Sequence, residues 1–449
     1  MSFDDLDIAE LRRRRGEKWT EYPADVLPAW VADMDFPVAE PITKYLAERI
    51  AIHDLGYPLN PTPSALPTVF AKRALERFGW TVDPRRVVVL SDVVQGIYIA
   101  IETLSERGQG VLIQPPVYPP FFHAVRETHR RLVTNPLVRG PRGYELDLDG
   151  LHKACDAGTR IMLLCNPQNP TGRVFTRAEL EGIARVAIDH DLVILSDEIQ
   201  CDLVYPGARH IPIATLGPEV EARTITLTSA TKGFNIAGLR CAVAAFGSDK
   251  LLTRFKSVPS HVRGGLGTFG LAVTEIAWTS CQPWLDDVMA YLDGNRRFLA
   301  EFVKERMPGV VHFSPESLYL AWLDCAALDL GGEAPYDFFL NRARDDGRGA
   351  ADPAPRRSRR HRADGALPSE RRVELRHRPG VLRRRRLRRG PQVERAAGHV
   401  PEVPPVPDLP PELSARPASR PRSCSARSGA PRRPRSRCSR SAAPRRCPR

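Results

Sequence analysis

Seven short apolar runs, at residues 87–90, 111–113, 131–133, 161–165, 192–196, 224–228 and 242–246, punctuate the middle of this sequence. Several are separated by stretches long enough for a helix, such as residues 97–106 and 177–190. Parallel neighbours in a sheet need a crossover of a dozen or more residues, whereas antiparallel neighbours need only a turn. The alternation therefore predicts an α/β fold, in which a large domain holds a mostly parallel seven-stranded sheet covered by helices on both faces. Ligands of such sheets bind beyond the carboxyl ends of the strands, so the segments that follow the strands are where chemistry is expected.

Beyond this region, Leu285, Val288, Leu292, Leu299, Phe302 and Val303 recur at helical spacing and predict a long helix over residues 283–307. Residues 319–324 read as a strand and 335–343 as a further helix, which makes a smaller, incomplete α+β domain. The expected division is an N-terminal segment at 1–40 packing with the small domain, a large domain at 41–282, a partial small domain at 283–343, and a tail at 344–449.

The tail is compositionally foreign. From Arg344 onward it holds thirty arginines, ten acidic residues, seventeen prolines, and neither lysine nor aromatic residues. Its net charge of +20 exceeds the +13 of the whole chain, so residues 1–343 carry −7. Without periodicity and with few apolar groups it is expected to be disordered. It resembles an out-of-frame reading of a GC-rich coding sequence; an alternative frame that restores a small-domain pattern is the expected result of sequencing the DNA. Its charge suits non-specific polyanion binding, but no aromatics interleave with the arginines, and specific nucleic-acid recognition is not expected.

Three of the nine cysteines (Cys424, Cys438, Cys447) lie in the tail, and the other six are scattered without CxxC spacing. Reduced thiols are expected and a metal site is not. No apolar run reaches membrane-spanning length and residues 1–19 contain no apolar signal region, so a cytoplasmic protein is expected.

Four strand-following segments carry unusual residues. After 161–165 comes NPQNPTG, a turn rigid enough to hold Asn169 in a cleft. The run 192–196 leads into Asp197 and Glu198, two carboxylates that are costly to bury unless a cation meets them. After 224–228 comes SATK, ending in Lys232, with Arg240 eight residues on. Hydroxyls and an arginine suit a phosphate, and a buried lysine suits imine chemistry because its pKa can fall. After 87–90 comes SDVVQG, where the amides around Val93 and Val94 open a helix and form a second anion cradle. An amine nucleophile, a strand-end carboxylate, an amide-bearing turn and a phosphate cradle together describe a pyridoxal 5′-phosphate site.

These residues resemble the fold-type I pyridoxal-phosphate enzymes of the aminotransferase class I and II superfamily, and most of all its MalY/PatB-type, cystathionine β-lyase-like branch. The segments that carry the resemblance are WVADMDFPVAEPI at 30–42, QPPVYPPFF at 114–122, LLCNPQNPTGRVFT at 163–176, SDEIQCDLVY at 196–205, SATKGFNIAGLR at 229–240 and SPESLYLAWLD at 314–324. The resemblance implies that Lys232 bonds the cofactor and moves the substrate's α-proton, that Asp197 keeps the ring nitrogen protonated, and that Asn169 bonds the 3′-oxygen. It assigns Tyr118 to the ring face, and Ser229, Arg240 and the backbone at Val93 and Val94 to the phosphate. Tyr57 would reach the phosphate across a homodimer interface.

Many members place a tyrosine three residues beyond the aspartate, where this chain has Gln200, which favours a lyase over a transaminase. The family's small domain ordinarily continues with strands bearing an arginine for the substrate carboxylate, and no arginine after Arg344 is assigned that role. The expected activity is cleavage of L-cystathionine-like sulfur amino acids to a thiol, pyruvate and ammonia. An aminotransferase of the same fold, or an inactive truncated lyase, are the alternatives.

Overall fold

A computed structural model of the chain describes residues 3–58, 64–141 and 143–342. In chain order its strands are β1 (Val87–Leu90), β2 (Gly110–Ile113), β3 (Arg131–Thr134), β4 (Val138–Gly140), β5 (Gly143–Glu145), β6 (Thr159–Cys165), β7 (Val193–Asp197), β8 (Thr224–Thr228), β9 (Ala242–Phe246), β10 (Val311–His312) and β11 (Leu323–Asp324). Seven of them form one sheet in the order β1-β9-β8-β7-β6-β2-β3. The block from β8 to β3 is parallel, and β9 runs antiparallel to both of its neighbours.

Side chains alternate across the central strands and so build two cores. Leu163, Leu195, Ile225 and Leu227 pack on the face covered by the helix Val93–Leu104. Met162, Leu164 and Ile194 pack on the opposite face against the helix Arg177–Asp189. Each such leucine or isoleucine, removed from water, contributes about 1.5–3 kcal/mol. Both helices start where their sequences dictate. Asp92 accepts the Gln95 N–H and caps the first, and Thr176 with Glu179 forms a capping box on the second. The first helix lies so close to the sheet that a β-carbon at Gly96 would stand 2.9 Å from Leu227 and Leu90 side chains.

The seven-stranded expectation holds, with each strand within two residues of its sequence-based limits. The helix expected over 283–307 runs Gln282–Arg306, and the last helix described is Pro335–Arg342. One expectation is corrected. Residues 319–324 do not form one strand; only Leu323–Asp324 pairs, with Val311–His312. The preceding stretch is bonded elsewhere, because Leu318 donates its N–H to the Leu203 carbonyl at 2.9 Å and turns through a left-handed φ of 71°. The expectations for Ala343 and the tail lie outside the described residues.

Among the described residues no helix is long and apolar enough to cross a membrane, and no group of three or more His, Cys, Asp or Glu is placed to hold a metal ion. Cys155, Cys165, Cys201, Cys241, Cys281 and Cys325 are free and buried.

Candidate active site

The residues after β8 explain how a lysine comes to stand in a turn of small side chains. Ala230 and Phe234 are fully buried and anchor the turn from below, with the Phe234 N–H donating to the Ala230 carbonyl at 2.9 Å. Ser229 Oγ donates to the Cys241 carbonyl and accepts the Thr231 N–H at 3.1 Å, which ties the turn to the strand beside it. Lys232 is left half-buried on a cleft of about 1700 Å³. Its Nζ donates to the Ala32 carbonyl at 2.7 Å.

Asp197 ends β7 and is only 4 % exposed. The Ile199 N–H donates to its carboxylate at 3.1 Å. Burial pushes its pKa up from the ordinary 3.8 to about 7; the Ile199 amide and the nearby Lys232 oppose that rise, and Glu198 adds to it. The same lysine–aspartate proximity brings the amine and the acid into one cleft.

A consequence for stability follows from that shift. The folded chain holds the Asp197 proton up to a higher pH than the unfolded chain does, so the cofactor-free protein loses stability as pH rises from about 4 to about 7. The decline is at most about 1.4 kcal/mol per pH unit. Denaturant unfolding across this range is expected to show it, and Asp197→Asn is expected to flatten it.

Tyr118, Asn169, Ser229, Arg240, Val93 and Val94 line the same cleft. Tyr118 precedes the helix Pro119–Glu127 and contacts the Phe121 ring at 6.2 Å. Asn169 is held by its N–H, which donates to Cys165 Sγ at 3.4 Å. Val93 and Val94 open their helix, where the first amides have no partner within the helix. Arg240 pairs with the Asp92 carboxylate, so one aspartate both caps that helix and orients the arginine at its mouth. Tyr57 stands apart from the others. It is fully exposed and does not line the cleft.

Several contributors went unassigned in the sequence. Glu198, beside Asp197, is met by His210 Nε2 at 2.8 Å and by Ser196 Oγ at 2.9 Å, all of them buried. Asp202 takes Arg73 at 2.7 Å, and a β-carbon added at Gly233, next to Lys232, would stand 3.2 Å from the Asp202 side chain. The requirement that buried carboxylates be answered was legible, but the identity of the answering groups was not, since Arg73 is 129 residues from Asp202. Removing one partner of such a pair strands the other in a dry site. Arg73→Met is expected to lower unfolding stability by about 3–5 kcal/mol, read from denaturant titration. Tyr319 is a further contributor, donating to the Ala32 carbonyl at 3.2 Å.

A sequence model described as aminotransferase class I and II matches residues 44–341. The cystathionine β-lyase PatB of Bacillus subtilis is 34% identical over 310 residues, covering 68% of this chain and 79% of its own. A cystathionine β-lyase of Corynebacterium glutamicum is 32% identical over 335 residues, covering 75% and 87%. Among solved structures, the pyridoxal-phosphate-bound C–S lyase of Staphylococcus hominis superposes with a TM-score of 0.68 at 28% identity, covering 76% of this chain and 88% of that one.

Proposed function

The chain belongs to the aminotransferase class I and II family, and from that premise we propose that its cleft belongs to a pyridoxal-phosphate-dependent carbon–sulfur β-lyase acting on L-cystathionine-like amino acids. The carrying observation is the convergence of the Lys232 amine and the buried Asp197 carboxylate on one cleft that also holds Arg240 and a helix N-terminus.

The residues present fit pyridoxal phosphate. A carboxylate 4 % exposed at a strand end suits a ring nitrogen, and Gln200 lines the cleft with a buried Oε1 that has no hydrogen-bond partner among the described residues. Lys232 would hold the carbonyl carbon, Asp197 the ring nitrogen, Asn169 the 3′-oxygen and Tyr118 the ring face. Ser229, Arg240 and the amides of Val93 and Val94 would hold the phosphate. When bound, the cofactor supplies an electron sink for negative charge at the substrate's α-carbon.

The chain's own residues do the rest. Asp197 keeps a proton at the ring nitrogen by offering it a carboxylate in a water-poor pocket. Lys232 Nζ takes the α-proton, and it must be neutral when it does so. The sulfur at the β-carbon then leaves as a thiol, and hydrolysis of what remains gives pyruvate and ammonia. Nothing among these residues requires a keto acid.

Ile50, Ile52, Leu55 and Tyr57 are all more than half exposed around the end of the helix Glu40–Ala51. An apolar patch of this kind suits a subunit interface. It supports a homodimer in which Tyr57 reaches the phosphate of a second copy. We place the enzyme in the cytoplasm, and its domains at 41–282 and 283–343 with the segment 1–40 against the smaller one. Contacts such as Tyr291 Oη to Asp4 at 2.6 Å support the last point.

Pyruvate release from L-cystathionine by the cofactor-loaded chain, with no keto acid added, tests the reading. Pyruvate formed continuously is the expected result. An absolute need for a keto acid would make the chain an aminotransferase, and no product despite bound cofactor would make it an inactive relative.

A further inference from the structure

Trp30, Val31 and Ala32 line the cleft and open the stretch 30–36, which has neither helix nor strand. Such a stretch has no ladder to fix its carbonyls, so its position depends on individual hydrogen bonds. Asn235 supplies three of them. Its Nδ2 donates to the Met34 carbonyl at 3.1 Å and to the Phe36 carbonyl at 3.0 Å, and its Oδ1 accepts the Met34 N–H at 3.1 Å. Two carbonyls and one N–H match the two donors and one acceptor of a carboxamide in a single orientation.

Asn235 also stands three residues after Lys232 in the same turn, at a left-handed φ of 56° that asparagine tolerates better than most residues. The carbonyl that takes Lys232 Nζ belongs to Ala32, two residues before the pinned Met34. Tyr319 Oη donates to that same carbonyl at 3.2 Å. Outside the cleft, Lys18 Nζ braces the segment through the Asp33 carbonyl at 2.8 Å and Asp35 at 2.6 Å.

We propose that Asn235 is a positioning residue that places the Ala32 carbonyl as the seat of the Lys232 amine whenever that amine is not bonded to the cofactor. The proposal rests on Lys232 being the cofactor-bearing lysine. The amine and its seat are then fixed from one turn, Lys232 by its own backbone and Ala32 through the Asn235 clamp, so the two keep their register. Without the clamp the lysine wanders from the line of attack, and misplacement of this order costs about ten- to a hundredfold in rate.

The test is the rate at which the visible absorption band forms when pyridoxal phosphate is mixed with the cofactor-free chain, for the parent, Asn235→Gly and Asn235→Asp. Glycine keeps the left-handed backbone and loses all three bonds; aspartate keeps only the acceptor for the Met34 N–H. Both are expected to form the band about ten- to a hundredfold more slowly. Turnover number per folded chain should fall with it while KM for L-cystathionine stays within about threefold; loss of folded protein alone would lower the amplitude of the band and leave the rate constant for its formation unchanged. Parent-like rates in both variants overturn the proposal, as do rates that fall only in proportion to the folded fraction measured by circular dichroism. A parent that forms no band overturns instead the assignment of Lys232.

Discussion

Lys232→Ala is expected to remove the visible absorption band of the cofactor-loaded protein and to lower pyruvate formation by about four orders of magnitude or more. Two losses combine in that one change. On the proposed roles, the amine that would hold the cofactor's carbonyl carbon is gone, and so is the group that would take the α-proton, which alone is worth about 10²- to 10⁴-fold. Folding should be little affected, because the turn is anchored by Ala230 and Phe234 and by the Ser229 bond to Cys241, none of which involves the lysine side chain. Matched near-ultraviolet circular dichroism of variant and parent, with turnover assays on both, checks this. Retained turnover within about tenfold would exclude Lys232 from the chemistry.

Asp197→Ala is expected to cost about a thousandfold in turnover, in line with the loss of one preorganised electrostatic group at a reacting centre. The carboxylate is 4 % exposed and is pushed up to about 7 by burial, so in the cofactor-free protein it holds a proton at a pH where an exposed aspartate would not. Against a basic ring nitrogen Asp197 would give up that proton and stay as the carboxylate of a buried ion pair. Without the carboxylate the ring nitrogen has no partner to keep it charged, and the electron demand at the α-carbon falls. The variant should still form an absorption band through Lys232, displaced from that of the parent, which separates this loss from that of Lys232→Ala. A variant with parental turnover would show that the ring-nitrogen partner is another group.

How much of this was legible in the sequence depends on how local each feature is. The strands β8 and β9 were readable to the residue because their apolar runs are bounded by polar turns and buried on both faces. Helix Arg177–Asp189 was readable as a helix-length stretch between two apolar runs, and the structure adds a capping box within its own first turn. Residues 319–324 misled because an apolar, aromatic run suits a strand, whereas here Leu318 and Tyr319 spend their bonds on Leu203 and Ala32. Nothing near residue 319 announces partners more than a hundred residues away.

The site divides in the same way. Lys232, Asp197, Asn169 and Arg240 follow strand ends and carry side chains whose chemistry is visible as letters. The Ala32 carbonyl carries no letter at all, since every residue has one, and its place beside the lysine is set by the Asn235 clamp. His210 was equally silent, being one histidine among eleven until the fold set it against Glu198. Tyr57 was named through a resemblance alone, and in a single copy of the chain it faces solvent.

The most direct measurement is to load the chain with pyridoxal phosphate, reduce it with borohydride so that the cofactor is locked on its lysine, digest it, and map the added mass. The expected result is a phosphopyridoxyl group on the peptide that contains Lys232, and on that peptide alone. The added mass on another lysine, or on none, would contradict the assignment of this cleft.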